Sequence, residues 1–223
     1  MDLQLEHRVI LVAGGEGLIG SAVVERLQAE GATVVVASRS TEQGIRMDGG
    51  DDASVAAGFA RILEQYGRLD GLVVAAARSA RTLDPALNAD PKQIADAVEK
   101  KALVFLRLAQ AAMPTMREAG FGRIVGISGQ GAFVTGNMAG AVRNAALNII
   151  GKSLADELAG TGVTVNTVNP AIVSAEPSAA VAPGDSGESS PAQIAALIAF
   201  LVSPLSVLSG ESVSVGLRLR GVI

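Results

Sequence analysis

The apolar residues of this chain come in short unbroken runs, not in the every-second-residue alternation of a sheet with one wet face. RVILVAGG, ATVVVASRS, LDGLVVAAA, GRIVGIS, VTVNTVNPAIV and ESVSVG succeed one another, with an amphipathic stretch in each interval. A strand that is apolar on both faces must be covered on both faces, as in a parallel sheet sandwiched between helices. Right-handed crossovers then wind the βα units into a doubly wound α/β sheet. Aromatic residues are only 3% of the chain, so Val, Ile, Leu and Ala must build the core. At 223 residues the length suits one such domain, and no composition break or repeat divides it. Residues 1–223 are therefore read as one domain.

Helix ends are marked by Gly31, by the acids opening DDASVAAGFARILEQYG, by Pro91 in the first turn of a long helix over 90–120, and by Ser190 ahead of Pro191. GNMAGAVRNAALNIIGKSLADELAG, 136–160, reads as one helix. The segment SAEPSAAVAPGDSGESS, 174–190, is a long loop expected to be mobile.

Several chemistries are excluded outright. The chain has no cysteine and one histidine, His7, which removes disulfides, thiolates and multi-histidine metal sites. A net charge of −4 without a basic cluster argues against a nucleic-acid surface. No apolar stretch approaches the roughly 20 residues of a membrane helix. The acidic start MDLQLEHR, with a short apolar run after it, does not resemble a secretion signal, so a cytoplasmic location is expected.

The first strand ends in VAGGEGLIGSA, with Gly14, Gly15, Gly17 and Gly20 leading through Leu18 and Ile19 into a helix. Glycines here allow a tight turn and close approach of backbone to a pyrophosphate, and the helix N-terminus offers unpaired N–H groups to an anion. A purely structural turn is the alternative, but the strand–turn–helix context favours dinucleotide binding. At the end of the second strand stand Ser38, Arg39 and Ser40, where an NAD-binding chain carries an acid. Arg39 is either a solvated loop charge or the reader of a 2′-phosphate; charge matching favours the phosphate, hence NADP(H).

These stretches, with RMDGGDDASV, YGRLDGLVVAAA, GRIVGIS, KSLADEL, VTVNTVNPAIV and LSGESVSV in this order, resemble the short-chain dehydrogenase/reductase family over nearly the whole chain. The resemblance implies a Rossmann fold with a seven-stranded parallel sheet, order 3-2-1-4-5-6-7, and a homodimer or homotetramer. It places Asp48 beside the adenine and Ala75, Ala76 and Ala77 along the cofactor. It implies a small-molecule carbonyl or alcohol as substrate. The spacing Gly14-Gly17-Gly20 is closer to the extended branch of that family, whereas the chain length matches the ordinary short branch.

The family's usual chemistry uses a Tyr as proton donor, a Lys four residues later, a Ser orienting the substrate oxygen and an Asn on the preceding helix. By ungapped matching those positions hold Gly140, Asn144, Gly129 and Lys100. Misalignment does not restore the acid, because Tyr66 is the only tyrosine and no Tyr, Cys or His lies beyond it. Ser128 is next to the vacant Ser position but is read as a buried hydroxyl bonded to backbone. Arg143 lies near the vacancy and could bind an anion. Lys100 and Lys101 are read mainly as solvated charges. Arg78 is placed in the cofactor cleft, and Gln130 and Asn137 along the pocket. Gly140 inside a helix means either a later helix start or close packing, alongside Ala139, Ala141, Ala145, Ala146 and Gly151. The resemblance makes this helix and the one near 95–118 a dimer interface. Three functions are compatible with the residues: an NADP(H)-dependent oxidoreductase with displaced chemistry and weak or atypical hydride transfer; a non-catalytic NADP(H)-binding partner subunit or redox sensor; and an oligomeric scaffold, which the intact glycine loop disfavours.

Overall fold

The computed structural model describes residues 1–77, 79–181 and 187–216. Its strands are β1 (Val9–Ala13), β2 (Thr33–Ser38), β3 (Ile45–Arg46), β4 (Gly71–Val74), β5 (Gly122–Ile127), β6 (Val163–Pro170), the short β7 (Ile172–Val173) and β8 (Glu188–Ser189), and β9 (Ser212–Val215). The helices are α1 (Leu18–Ala29), α2 (Asp52–Tyr66), α3 (Pro91–Val98), α4 (Val104–Glu118), α5 (Met138–Glu157) and α6 (Pro191–Leu201). Seven strands form one parallel sheet in the order β3-β2-β1-β4-β5-β6-β9, and β7 pairs with β8 apart from it. This is the Rossmann-like arrangement expected, with β9 as the seventh strand of the sheet.

The unbroken runs are buried as their composition requires: every residue of β1, β4 and β5 is buried. Alternate residues of β1 serve opposite cores. Leu11 joins Leu72, Ile124 and Val165 under α2, α4 and α5, while Ile10 and Val12 join Val73, Val125 and Val168 under α1 and α6. The edge strand β3 has only two residues, too few to show a pattern, and reading the residues alone misses it.

Caps agree with the sequence signals. Asp51 Oδ1 accepts from Ser54 N at the start of α2, and Ser190 forms a capping box with Gln193 at the start of α6. One expectation changes. The long helix over 90–120 is interrupted by a π turn, Glu99–Leu103, which adds a residue to one turn and rotates α4 relative to α3. The loop 174–190 is tied at its ends: Ser174 N donates to Ser189 O at 3.1 Å and Ser178 N to Glu188 Oε2 at 2.9 Å. Residues 182–186 of that loop lie outside the described residues. No helix among the described residues is long and apolar enough to cross a membrane.

Candidate active site

The carboxyl ends of the parallel strands are where such sheets bind ligands. The loop after β1 shows why it needs glycine. Gly14 has φ +82°, and a Cβ there would lie 2.7 Å from Ala76 Cα. A Cβ on Gly20 would lie 2.0 Å from Gly14 O. The chain thus folds back on itself and brings Ala75 and Ala76, after β4, against the loop. Gly15 is packed beneath on Val36 and Val24. Gly17 is the N-cap of α1, with no side-chain cap and no acid in the first turn, so the amides of Leu18, Ile19 and Gly20 open the helix without a side-chain acceptor. A cradle this close and this free of side chains fits a pyrophosphate.

The rim of the loop carries a feature that the sequence does not reveal. Ser38 Oγ donates to Glu16 Oε2 at 2.6 Å, which with a hydrogen bond from Thr41 holds the Glu16 carboxyl below its usual range. Glu16, Ser40, Glu42 and Gln43 line an open cavity of about 350 Å³. Arg39 is exposed, and its carbonyl accepts from Arg46 Nε at 2.9 Å. A carboxylate therefore sits on the serine expected to meet a 2′-phosphate. Asp48 turns its carboxylate to Gly50 N at 2.9 Å and remains exposed after β3. Ala77 continues from Ala76 toward Arg78, which lies outside the described residues.

The second half of the site lies past β5. Gly129 and Asn144 are adjacent: the Cβ that Gly129 lacks would be 3.0 Å from Asn144 Nδ2. Ser128 is buried and donates through Oγ to Asn144 O at 3.0 Å, the backbone-bonded role its residue type suggests. Gln130 is buried too and donates to Val215 O at 3.2 Å. Gly140 lies in the first turn of α5, because that helix begins at Met138 under an Asn137 cap. Both sequence explanations of this glycine hold: the helix starts later than 136, and the space is filled. A Cβ at Gly140 would meet Asn137 Cγ and Oδ1 at 2.9 Å and Ala80 Cβ at 3.1 Å. Asn88 fastens the same corner, accepting from Met138 N and donating to Gly136 O.

The π turn decides which lysine enters. Lys100 points outward and pairs with Asp96 at 2.7 Å. Lys101 is only 7% exposed and donates from Nζ to Ser128 O at 2.9 Å. Burial, reinforced by the Arg143 guanidinium, pulls its pKa down to about 7. Arg143 is itself buried, and burial lowers its pKa as well. The expectation of two solvated lysines thus holds for Lys100 and fails for Lys101; a single-residue π insertion has no hydrophobic signature. Tyr66 ends α2 just before β4 begins, at the opposite edge of the sheet. Among the described residues no cluster of His, Cys, Asp and Glu could hold a metal.

Comparison with known proteins places this geometry. A family model described as enoyl-(acyl carrier protein) reductase matches residues 13–216. The 3-oxoacyl-(acyl-carrier-protein) reductase FabG of Vibrio cholerae serotype O1 is 31% identical over 245 residues, covering 96% of this chain and 97% of that protein. The D-threitol dehydrogenase of Mycolicibacterium smegmatis is 32% identical over 195 residues, covering 78% and 74%. In fold, the crystal structure of Cj0485 dehydrogenase is similar with a TM-score of 0.83 at 20% identity, covering 96% of this chain and 94% of that one.

Proposed function

The chain belongs to the short-chain dehydrogenase/reductase family of oxidoreductases, and on that premise we propose that it binds NADP(H) across the carboxyl edge of the sheet and carries out atypical hydride transfer with a small carbonyl or alcohol. The observation that carries the reading is the cradle of Gly14 and Gly20, in which a single Cβ would strike backbone at 2.0–2.8 Å. These contacts are with the chain's own backbone, and they draw the loop together so that the start of α1 stands clear of side chains, as close approach of a pyrophosphate requires. In this reading the amides of Leu18, Ile19 and Gly20 hold the pyrophosphate. Arg39, with Ser38 and Ser40, holds the 2′-phosphate, Asp48 faces the adenine, and Ala75, Ala76 and Ala77 line the path to the nicotinamide. When bound in reduced form, the nicotinamide supplies a hydride to a carbonyl carbon.

The atypical part rests on Gly129, Gly140 and Asn144. Gly129 and Gly140 offer no side chain, and Asn144 hydrogen-bonds but gives up no proton. Named relatives that reduce 3-oxoacyl groups or oxidise threitol support a carbonyl–alcohol substrate pair. The whole chain acts as one domain in this reading, in a cytoplasmic homodimer or homotetramer. The apolar side chains that α5 leaves to solvent, Ile149 at 65% and Val142 at 40% exposure, support that assembly.

A second reading, a non-catalytic NADP(H)-binding partner subunit or redox sensor, is favoured by the filled corner at Gly140, where Asn137 and Ala80 take the space a tyrosine would need. Fluorescence titration with NADPH and NADH, then a carbonyl panel, separates the readings. NADPH binding with turnover supports the first, binding without turnover supports the second, and absence of nucleotide binding defeats both.

A further inference from the structure

We propose that Lys101 is the proton donor of this site, its ammonium group delivering a proton to the oxygen of a carbonyl substrate held beside Gly129 and Asn144. The proposal rests on the nicotinamide reading above. Lys101 Nζ reaches Ser128 O, the first residue beyond β5, at 2.9 Å. β5 is two strands from β1 through β4, which puts this carbonyl about 10 Å across the sheet from the glycine loop. That is within the span of a dinucleotide anchored at the N-terminus of α1.

The surroundings are buried, polar and incompletely paired. Asn144 Nδ2 occupies the space beside Gly129 and Gly131, 3.0 and 3.3 Å from the Cβ positions those residues lack. Its Oδ1 is buried without a hydrogen-bond partner among the described residues. A buried polar atom without a partner calls for one, which a ligand or a water can supply. Among the described residues, the charged groups around Lys101 do not neutralise it. α5 presents Arg143, a like charge. On its own turn and the helices beside it, Glu99 is tied to Arg107 and Lys100 to Asp96. The end of β5 presents only backbone and the Ser128 hydroxyl, which is bonded to Asn144 O. A buried ammonium held by a backbone carbonyl and no carboxylate among the described residues is a poor stabilising device. Its pKa of about 7 is that of an acid able to give up a proton at neutral pH.

In the step we propose, the carbonyl carbon takes hydride from the reduced nicotinamide dinucleotide, the reductant, which is thereby oxidised. The electron pair of the C=O π bond moves to oxygen. That oxygen takes a proton from Lys101 Nζ as the N–H bond breaks, leaving an alcohol and a neutral amine. The amine recovers its proton from water, so one proton is consumed per carbonyl reduced.

The test uses the full-length protein labelled with ¹³C at lysine Cε, with Lys101→Arg and Lys101→Met to assign the resonance. Its titration midpoint is read without nucleotide, with NADPH and with NADP⁺. The expected midpoint is about 7 in the free protein. It falls by at least about half a pH unit in the NADP⁺ complex relative to the NADPH complex, because only the oxidised ring is positively charged. A structural lysine remote from the ring gives the same midpoint in both complexes. In parallel, kcat for carbonyl reduction falls about 100-fold or more in both variants while KM changes little. Arginine keeps the charge but gives up no proton, so rescue by Lys101→Arg overturns the proposal. Equal midpoints in the two complexes, or NADPH binding without any turnover in the wild-type protein, overturn it as well. Absence of NADPH and NADH binding sinks the nucleotide reading itself, and is told apart by the fluorescence titration.

Discussion

At the edge where the strands begin, Asp70 accepts from Arg8 Nη1 at 2.9 Å, from Arg68 Nε at 2.8 Å and from the Val9 amide at 2.9 Å, and the Arg8 and Arg123 guanidiniums lie 4.2 and 4.3 Å from the Phe121 ring. At the edge where the strands end, α1 opens without a side-chain cap, Lys101 has a carbonyl in place of a carboxylate, and Asn144 Oδ1 is buried and unmet. The first edge satisfies its own charges. The second leaves the first amides of α1 without a side-chain acceptor and a buried cation on a backbone carbonyl. The two ends of one sheet therefore differ in how far they satisfy their own charges, and that difference is sharper than any difference in exposure.

The sharpest way to break this contrast is to damage the closed edge and ask whether the open one notices. Asp70→Ala strands a buried Val9 amide and leaves two arginines unpaired. We expect a loss of about 3 kcal/mol in urea unfolding, the low end for a buried ion pair because the arginines are partly exposed. NADPH affinity of the folded fraction stays unchanged. Burial raises the Asp70 pKa, but hydrogen bonds from Arg68, the Val9 amide and Arg8 outweigh it and hold the carboxyl below its ordinary value. Its contribution is thus present at neutral pH and is lost as acid carries the solution down through that lowered pKa. A variant with wild-type acid sensitivity contradicts the assignment.

The converse change is Gly20→Ala. Its Cβ would meet Gly14 O at 2.0 Å, so the loop must open. NADPH binding of the folded protein should weaken about 100-fold, equivalent to about 2.7 kcal/mol, and the melting temperature should fall as well, because the atom struck is backbone and cannot swing aside. Unchanged affinity breaks the claim that the cradle is shaped for phosphate.

The open edge was only half legible in the sequence, and the reason is physical. Glycine spacing is a local property of strand, turn and helix, so Gly14 and Gly20 announce the tight turn by identity alone. The unbroken apolar runs likewise give the sheet, except for β3, whose two residues carry no periodicity. Lys101 is different. Its direction depends on one extra residue in the π turn Glu99–Leu103, and ungapped spacing points to Lys100 instead. Glu16 is different again: nothing in VAGGEGLIG says that its carboxylate will find Ser38 across 22 residues. Side-chain pairings between separate loops are set by tertiary folding, not by pattern.

Lys101 gives the third test, in stability alone. Its unfolded pKa is about 10.4 and its folded pKa about 7. Between those values the unfolded chain binds more protons, so wild-type stability should rise with pH, and below about 7 the penalty is complete. Relative to Lys101→Met, the wild type should gain about 2 kcal/mol between pH 7 and 8.5. Parallel stability curves for the two proteins would place the ammonium in water and remove Lys101 from the proposed site.

The smallest effect tests the rim of the cradle, where the two ends of the contrast meet. Ser38 spends its hydroxyl on Glu16, a carboxylate that Ser38 and Thr41 keep ionised below the usual range. A 2′-phosphate approaching Ser38, Arg39 and Ser40 meets that negative charge as well as the guanidinium, whereas a 2′-hydroxyl would donate to it. Glu16→Gln should therefore tighten NADPH about 2- to 5-fold and leave NADH unchanged or slightly weaker. The effect is modest because Glu16 is fully exposed and screened, and it should shrink further at high salt. Because the Glu16 carboxyl titrates below the ordinary carboxylate range, the wild-type penalty should be flat from about pH 6 to 9 and vanish only in acid. If Glu16→Gln weakens NADPH instead, Ser38 was being held ready for the phosphate by Glu16, and the carboxylate belongs to the binding machinery rather than opposing it.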